Sequence, residues 1–219
     1  MNNKEHLLIF DLDGTLWDSS AEVAESWNIV LRRNIEGWKD LTSADIQSVM
    51  GTTMAEIAQT YLPDLPVDKR IRLFDECQTF EIDYIKEHGG KLFPNVRETL
   101  TELVNAGYKM AIVSNCQTGY IDAFLTSMDM KEFFCDYEEW GTQRRIKAEN
   151  ISLVMDRNGF EKAIYIGDID RDQLAAEDAG IPFICADYGF GKIENAQYAV
   201  STFAELPAAI AKIEEATEA

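Results

Sequence analysis

Apolar and polar positions fall in blocks along this chain. Leu7-Leu8-Ile9-Phe10 is an unbroken apolar run that stops abruptly at Asp11-Leu12-Asp13-Gly14-Thr15. Such a run, ended by a turn, predicts a strand buried on both faces, as in a parallel sheet. The spacing then becomes helical. Val23, Trp27, Ile29, Val30 and Leu31 mark a helix over 18–34, with Asp18, Ser19 or Ser20 as its cap. Helices follow over 42–50, 52–62 and 66–88. Thr42, with Asp45 three residues later, caps the first, and Pro63 and Pro66 separate the other two. Ile71, Phe74, Ile82 and Ile85 share roughly one face of the last.

After His88-Gly89-Gly90 the strands return. They are predicted over 109–113, 133–137, 163–166, 183–186 and 198–200, interleaved with helices over 95–106, 118–128, 146–158, 172–179 and 203–215. Alternation of this kind predicts an α/β protein with a doubly wound parallel sheet. The all-helical block interrupts it as an insertion. The expected organisation is a core of residues 1–15 and 91–219 and a helical cap of residues 16–90, with hinges near Leu16 and Gly89-Gly90-Lys91. A cap beside the active strand ends can close over a substrate and exclude water.

The charge narrows the choice of partner. With 20 Lys and Arg against 39 Asp and Glu, the net charge of -19 argues against nucleic acid and anionic membrane. No stretch approaches the roughly 18 apolar residues of a membrane span. Residues 1–6 lead straight into the first strand, so no signal peptide is expected and the location is read as cytoplasmic. Cys77, Cys116, Cys135 and Cys185 are scattered without a C-x-x-C pair, and His6 and His88 are the histidines, so buried reduced thiols are expected rather than a zinc site.

The chemistry gathers at strand ends, where open α/β sheets bind ligands. Two carboxylates two positions apart suit phosphoryl transfer. One can attack phosphorus while the other delivers and recovers a proton, and a divalent ion offsets their repulsion from the phosphate. Gly14 frees backbone N–H groups for a tight turn. Ser114, after Ile112-Val113, offers a hydroxyl and N–H groups to a phosphate oxygen. Lys147 can neutralise a carboxylate and a phosphoryl group, with Arg144 and Arg145 as rivals. Asp168, in Gly167-Asp168-Ile169-Asp170-Arg171-Asp172, suits a hard cation, and Asp172 can hold a metal-bound water or orient Lys147. Each signal alone also reads as a helix cap or a solvated charge.

Taken together and in this order, Asp11-Leu12-Asp13-Gly14-Thr15, Ser114-Asn115, Lys147, and Gly167-Asp168 with Asp172 resemble the haloacid dehalogenase superfamily over nearly the whole chain. The resemblance implies a Rossmann-like core with an inserted helical cap. It implies Asp11 as nucleophile, Asp13 as general acid and base, and Mg²⁺ held by the Asp11 side chain, the Asp13 carbonyl and Asp168. Gly14, Thr15, Ser114, Asn115 and Lys147 would bind phosphate, and Asp172 would support the metal from behind. The cap position, with Leu92-Phe93-Pro94-Asn95-Val96 as the return to the core, resembles the subgroup of phosphoglycolate phosphatases and β-phosphoglucomutases. That subgroup often has Pro after the Lys, where this chain has Ala148.

Asp13 separates the chain from the family's dehalogenases and phosphonatases, which lack a second carboxylate. The mutase relatives carry a His twelve positions after the nucleophile, where this chain has Val23, which favours transfer to water. The expected activity is Mg²⁺-dependent hydrolysis of a small phosphate monoester, resembling that of phosphoglycolate phosphatase. The alternatives are a β-phosphoglucomutase-type phosphotransferase, an inorganic pyrophosphatase or a phosphate-binding regulator without turnover. Specificity is expected from the turn Gly51-Thr52-Thr53, with Tyr188-Gly189-Phe190-Gly191 as a second bordering loop. Arg32, Arg33, Arg70 and Arg72 are candidates for a distal anion but read better as surface residues. The partner is a small phosphorylated metabolite, and the chain is expected as a monomer or homodimer.

Overall fold

The computed structural model describes residues 4–52, 54–140 and 145–218. The apolar run is β1 (His6–Phe10), and all five of its residues are buried. Its neighbours are β4 (Lys109–Ser114) on one side and β6 (Lys162–Gly167) on the other, both parallel to it. Beyond β4 lies β5 (Asp136–Glu139), and beyond β6 lie β7 (Phe183–Ala186) and β8 (Ala199–Val200). The six strands stand in the order β5-β4-β1-β6-β7-β8. In chain order within the sheet this is 3-2-1-4-5-6, and the order reverses between β1 and β6, where such folds hold ligands.

The unbroken run in β1 supplies two cores because alternate side chains face opposite ways. Leu8 and Phe10 join Met110, Ile112, Ile164 and Ile166 on one face. Leu7 and Ile9 join Ala111, Val113, Ala163 and Tyr165 on the other. The first face is covered by α5 (Val96–Asn105), α6 (Tyr120–Ser127) and α9 (Leu206–Glu218), the second by α7 (Lys147–Asn158) and α8 (Asp170–Asp178).

Between β1 and β4 the chain forms α1 (Ser20–Asn34), α2 (Ser43–Gln47), α3 (Met54–Tyr61) and α4 (Val67–His88). Val23, Trp27, Val30 and Leu31 of α1 are buried, as are Leu73, Phe74, Cys77 and Ile85 of α4, and Trp27 meets Phe74 edge-on at 5.1 Å. Two short strands bracket this block. β2 (Trp17–Asp18) pairs antiparallel with β3 (Lys91–Leu92), so the outgoing and returning chains lie side by side at the expected junctions. Sequence periodicity does not register strands this short.

Several boundaries differ from expectation. The strand predicted over 133–137 is β5 at Asp136–Glu139, after a 3₁₀ turn at Lys131–Phe133. Phe133 is buried in the core, while β5 is an acidic edge strand whose Asp136 and Glu138 pair with Arg157. α6 begins at Tyr120 rather than at residue 118, after Gly119 at φ 90°. α8 begins at Asp170 rather than at residue 172, because Ile169 is its N-cap and the Asp172 carboxylate accepts the Ile169 N–H. Ser19 occupies the N-cap of α1 without capping it; Asp18 accepts the Ser20 N–H instead. Thr42 and Asp45 do form a capping box. Of the cysteines, Cys77, Cys116 and Cys185 are buried as expected, but Cys135 is exposed. Among the described residues, no helix is long and apolar enough to cross a membrane.

Candidate active site

Asp11 stands immediately beyond β1, and its N–H donates to the Ile166 carbonyl of β6 at 2.8 Å. This bond extends the strand pairing by one residue and leaves the carboxylate at the switch point. Asp168 follows β6 in the same way, and Lys147 opens α7. A cation in the first turn opposes the helix dipole, so helix stability does not explain Lys147 there. Its Nζ donates to Asp11 Oδ1 at 3.0 Å and to Asp172 Oδ1 at 2.6 Å, with all three side chains buried. Burial works against the ammonium, but Asp11 and Asp172 outweigh it and hold Lys147 well above its ordinary value.

Asp172 has two tasks. One oxygen takes the lysine, and the other accepts the N–H groups of Asp168 and Ile169 at 3.0 and 3.2 Å. Asp168 is cradled from the far side. Its Oδ2 accepts the N–H groups of Phe190 at 2.8 Å and Gly191 at 3.2 Å, so the Tyr188-Gly189-Phe190-Gly191 loop does border the site. Gly14, at φ 82°, passes so close that a Cβ there would lie 2.2 Å from Asp168 Oδ2. Only glycine fits this turn without displacing the carboxylate.

Asp11, Asp168 and Asp172 bring carboxylate oxygens within 4.8 Å of one another. Burial raises Asp11 to about 6, against the pull of Lys147. Burial, then Asp172 and Asp11, raise Asp168 to about 8. Three buried acids with one lysine leave excess negative charge, and hard oxygen donors suit Mg²⁺ or a similar cation. The donor set therefore fits the metal that the resemblance implies, with Asp172 already engaged by Lys147 and two backbone donors.

Asp13 lies apart from that cluster. Its Oδ1 accepts the Ser19 hydroxyl at 2.8 Å and the Tyr120 hydroxyl at 3.1 Å, and the two hydroxyls are 2.7 Å apart. Burial pushes Asp13 up to about 7, against the Ser19 bond and aided by Asp11. Neither partner was singled out as a site residue in the sequence. Ser19 reads as a cap, and Tyr120 comes from 107 residues away.

A narrow pocket opens over Asp11 and Asp13. Ser114, Asn115 and Tyr120 line it from the sheet side, and Val23, Trp27, Glu81 and Met50-Gly51-Thr52 line it from the helical block. Gly51 thus borders the site, with its carbonyl accepting Asn115 Nδ2 at 3.2 Å. The Thr52 hydroxyl donates back to Val49 O at 2.6 Å. Thr53 and Arg144 lie outside the described residues. Thr15 is fully buried next to Gly14, with its carbonyl accepting the Tyr188 hydroxyl. Arg32 and Arg72 form surface pairs with Asp40 and Asp68, as their surface reading requires. Burial pushes the Cys116 thiol well above its ordinary value, consistent with a packing role.

The model of the family described as haloacid dehalogenase-like hydrolase matches residues 8–186, from within β1 to the end of β7. The chain belongs to this family. Among curated members, a phosphoglycolate phosphatase of Photorhabdus laumondii is 30% identical over 206 residues, covering 86% of this chain and 82% of the relative. A phosphoglycolate phosphatase of Vibrio cholerae is 28% identical over 201 residues, covering 84% and 85%. Of solved structures, a haloacid dehalogenase-like family protein from Streptococcus pneumoniae superposes with a TM-score of 0.80 at 22% identity, over 94% of this chain and 98% of that one. At that identity the likeness concerns the fold: the family's parallel sheet with its helical insertion.

Proposed function

We propose that this family member is a Mg²⁺-dependent phosphatase that hydrolyses a small phosphate monoester through a phospho-Asp11 intermediate. The observation that carries the reading is the contrast between two carboxyl groups two residues apart. Burial raises both, Asp11 to about 6 and Asp13 to about 7, but Asp11 is ion-paired to Lys147 whereas Asp13 is held by two hydroxyls. A cation beside one group and hydroxyls around the other suit a nucleophile and a proton donor.

Asp11 attacks phosphorus and displaces the alcohol. Asp13 gives its proton to the departing oxygen, then takes one from the water that hydrolyses the acyl phosphate. Ser114 and Asn115 N–H and side-chain donors hold the phosphoryl oxygens. Lys147 offsets the charge that gathers between phosphate and Asp11. Asp11, Asp168 and the Asp13 carbonyl would hold Mg²⁺, which when bound supplies the remaining positive charge. Val23 lines the pocket beside Asp13 and has no group able to carry a proton, which supports water over a second sugar phosphate as acceptor. The core and cap division at residues 16–90 is part of the same reading.

Phosphate release from a panel of esters, with Mg²⁺ or EDTA, tests the proposal. The panel includes phosphoglycolate, pyrophosphate and β-glucose 1-phosphate, the last also assayed for isomerisation. Metal-dependent release is expected; isomerisation without release would identify a mutase.

Two further results are expected. Tyr120→Phe removes one of the two hydroxyls on Asp13 and should lower kcat about tenfold with little change in KM, because the proton donor loses its fixed orientation. Steady-state kinetics on a slow-leaving alkyl phosphate checks this. The second result concerns pH. Asp11 and Asp168 rise from 3.8 to about 6 and about 8 in the folded state. Between about pH 4 and 8 the folded protein therefore holds protons that the unfolded chain has released, and stability falls as pH rises. The metal-free protein should melt lower at pH 8 than at pH 5.5, and Mg²⁺ should restore the loss at pH 8. A melting point that rises with pH and ignores Mg²⁺ would contradict the metal assignment.

A further inference from the structure

Glu81 has no part in the mechanism above, yet it reaches the same pocket from α4 with only 3% of its surface exposed. Its two oxygens have separate partners. Trp27 Nε1 donates to one, and Gln117 Nε2 donates to the other at 2.9 Å. Both partners donate and neither accepts, so this surrounding matches an ionised carboxylate. The ionised form has its own difficulty. Val23, Ile46, Val49, Met50 and Ile57 make the walls apolar, and a buried carboxylate without a counter-charge is costly. Burial pushes Glu81 up to about 8 despite both hydrogen bonds, and Asp13 adds to the shift. Among the described residues lining the pocket there is no Lys, Arg or His.

Resting on the phosphatase reading, we infer that the positive charge arrives with the substrate: the pocket takes the phosphate ester of a small amino alcohol, whose ammonium group is received by Glu81 beside the Trp27 ring. A carboxylate keeps two free lone-pair positions after accepting two N–H donors, enough for an ammonium group. A leaving group bearing its own carboxylate, as glycolate does, would instead meet Asp13 and Glu81, two groups of its own sign. The inference therefore separates this chain from the substrate named for its relatives while keeping their reaction. Glu81 is a specificity-determining residue and no part of the proton or phosphoryl transfer.

The test compares 2-aminoethyl phosphate with propyl phosphate, its near-isostere without charge, and with phosphoglycolate. Wild-type kcat/KM should favour the amine by about tenfold or more over each, the range of a charge-assisted hydrogen bond in a dry site. Glu81→Gln should bring the ratio of amine to propyl ester toward one. A wild-type preference for propyl phosphate or phosphoglycolate overturns the inference, whether or not the variant folds. Calorimetry on Asp11→Asn separates this inference from the reading it rests on. If wild type hydrolyses none of the esters, yet Asp11→Asn binds 2-aminoethyl phosphate about tenfold tighter than propyl phosphate, the phosphatase reading falls and the ammonium pocket stands. Equal binding of the two esters overturns the pocket assignment even when turnover is intact.

Discussion

Asp11→Asn will release phosphate at least about 10⁴-fold more slowly than the wild type, because an amide cannot form the acyl phosphate and no neighbouring group takes its place. Asp13 is occupied by Ser19 and Tyr120, and Asp172 by Lys147 and two backbone N–H groups. The same substitution should raise the melting point of the metal-free protein at pH 8. Burial raises Asp11 to about 6 even beside Lys147, so without a metal ion its charge is a net liability at that pH, and Asp172 keeps Lys147 paired in the variant. Lost activity with retained or increased stability separates a chemical role from a structural one. A phosphate mimic that forms an adduct with wild type should form none with the variant. Residual activity within tenfold of wild type would remove Asp11 from the mechanism.

Lys147→Met should have the opposite effect on stability. Methionine keeps most of the buried stem but removes the one cation shared by Asp11 and Asp172. Breaking a buried ion pair from one side typically costs about 3–5 kcal/mol, and for a chain of this size that lowers the melting point by roughly 10 °C. The loss should narrow as pH falls from 8 to 5, since burial raises Asp11 to about 6 and its protonation then removes one stranded charge. Activity should be undetectable even where the variant is fully folded. Thermal melts at the two pH values, beside phosphate release at 20 °C below the variant's midpoint, check each part. A melting point within about 3 °C of wild type at pH 8 would mean that water satisfies the carboxylates and the ion pair carries little.

The site was legible where chemistry and backbone punctuation coincide. Asp11, Ser114 and Asp168 all stand at the ends of apolar runs, and the sheet brings those ends to one edge. Lys147 was legible from its place in the order of motifs, not from its surroundings, since a lysine opening a helix is unremarkable until its partners are known. The partners of Asp13 and the lining of the pocket were not legible. Tyr120 and Asp13 are 107 positions apart, Gln117 and Glu81 are 36 apart, and Glu81 sits on a helix whose other acids face solvent. A buried Glu and an exposed Glu look alike in a helical repeat. Among the strands, β5 was misplaced because its own residues are acidic and the apolar pair just before it, Phe133-Phe134, packs as a plug rather than a strand.

The ribbon of β2 and β3 carries a consequence for the history of the chain. It fastens together the two points where the sequence departs from the sheet and comes back, and Phe93 N–H closes on the Leu16 carbonyl just beyond it. Seventy-two residues from Ser19 to Gly90 therefore begin and end in the same place. For the rest of the molecule they are topologically a single loop, and replacing one such loop by another of different length costs little in closure entropy. Val23, Trp27, Met50, Ile57 and Glu81 of the pocket wall belong to that loop, while Asp11, Asp168 and Lys147 do not. Recombination at the ribbon would exchange what is recognised and conserve what is done to it, so selectivity and chemistry can be inherited separately.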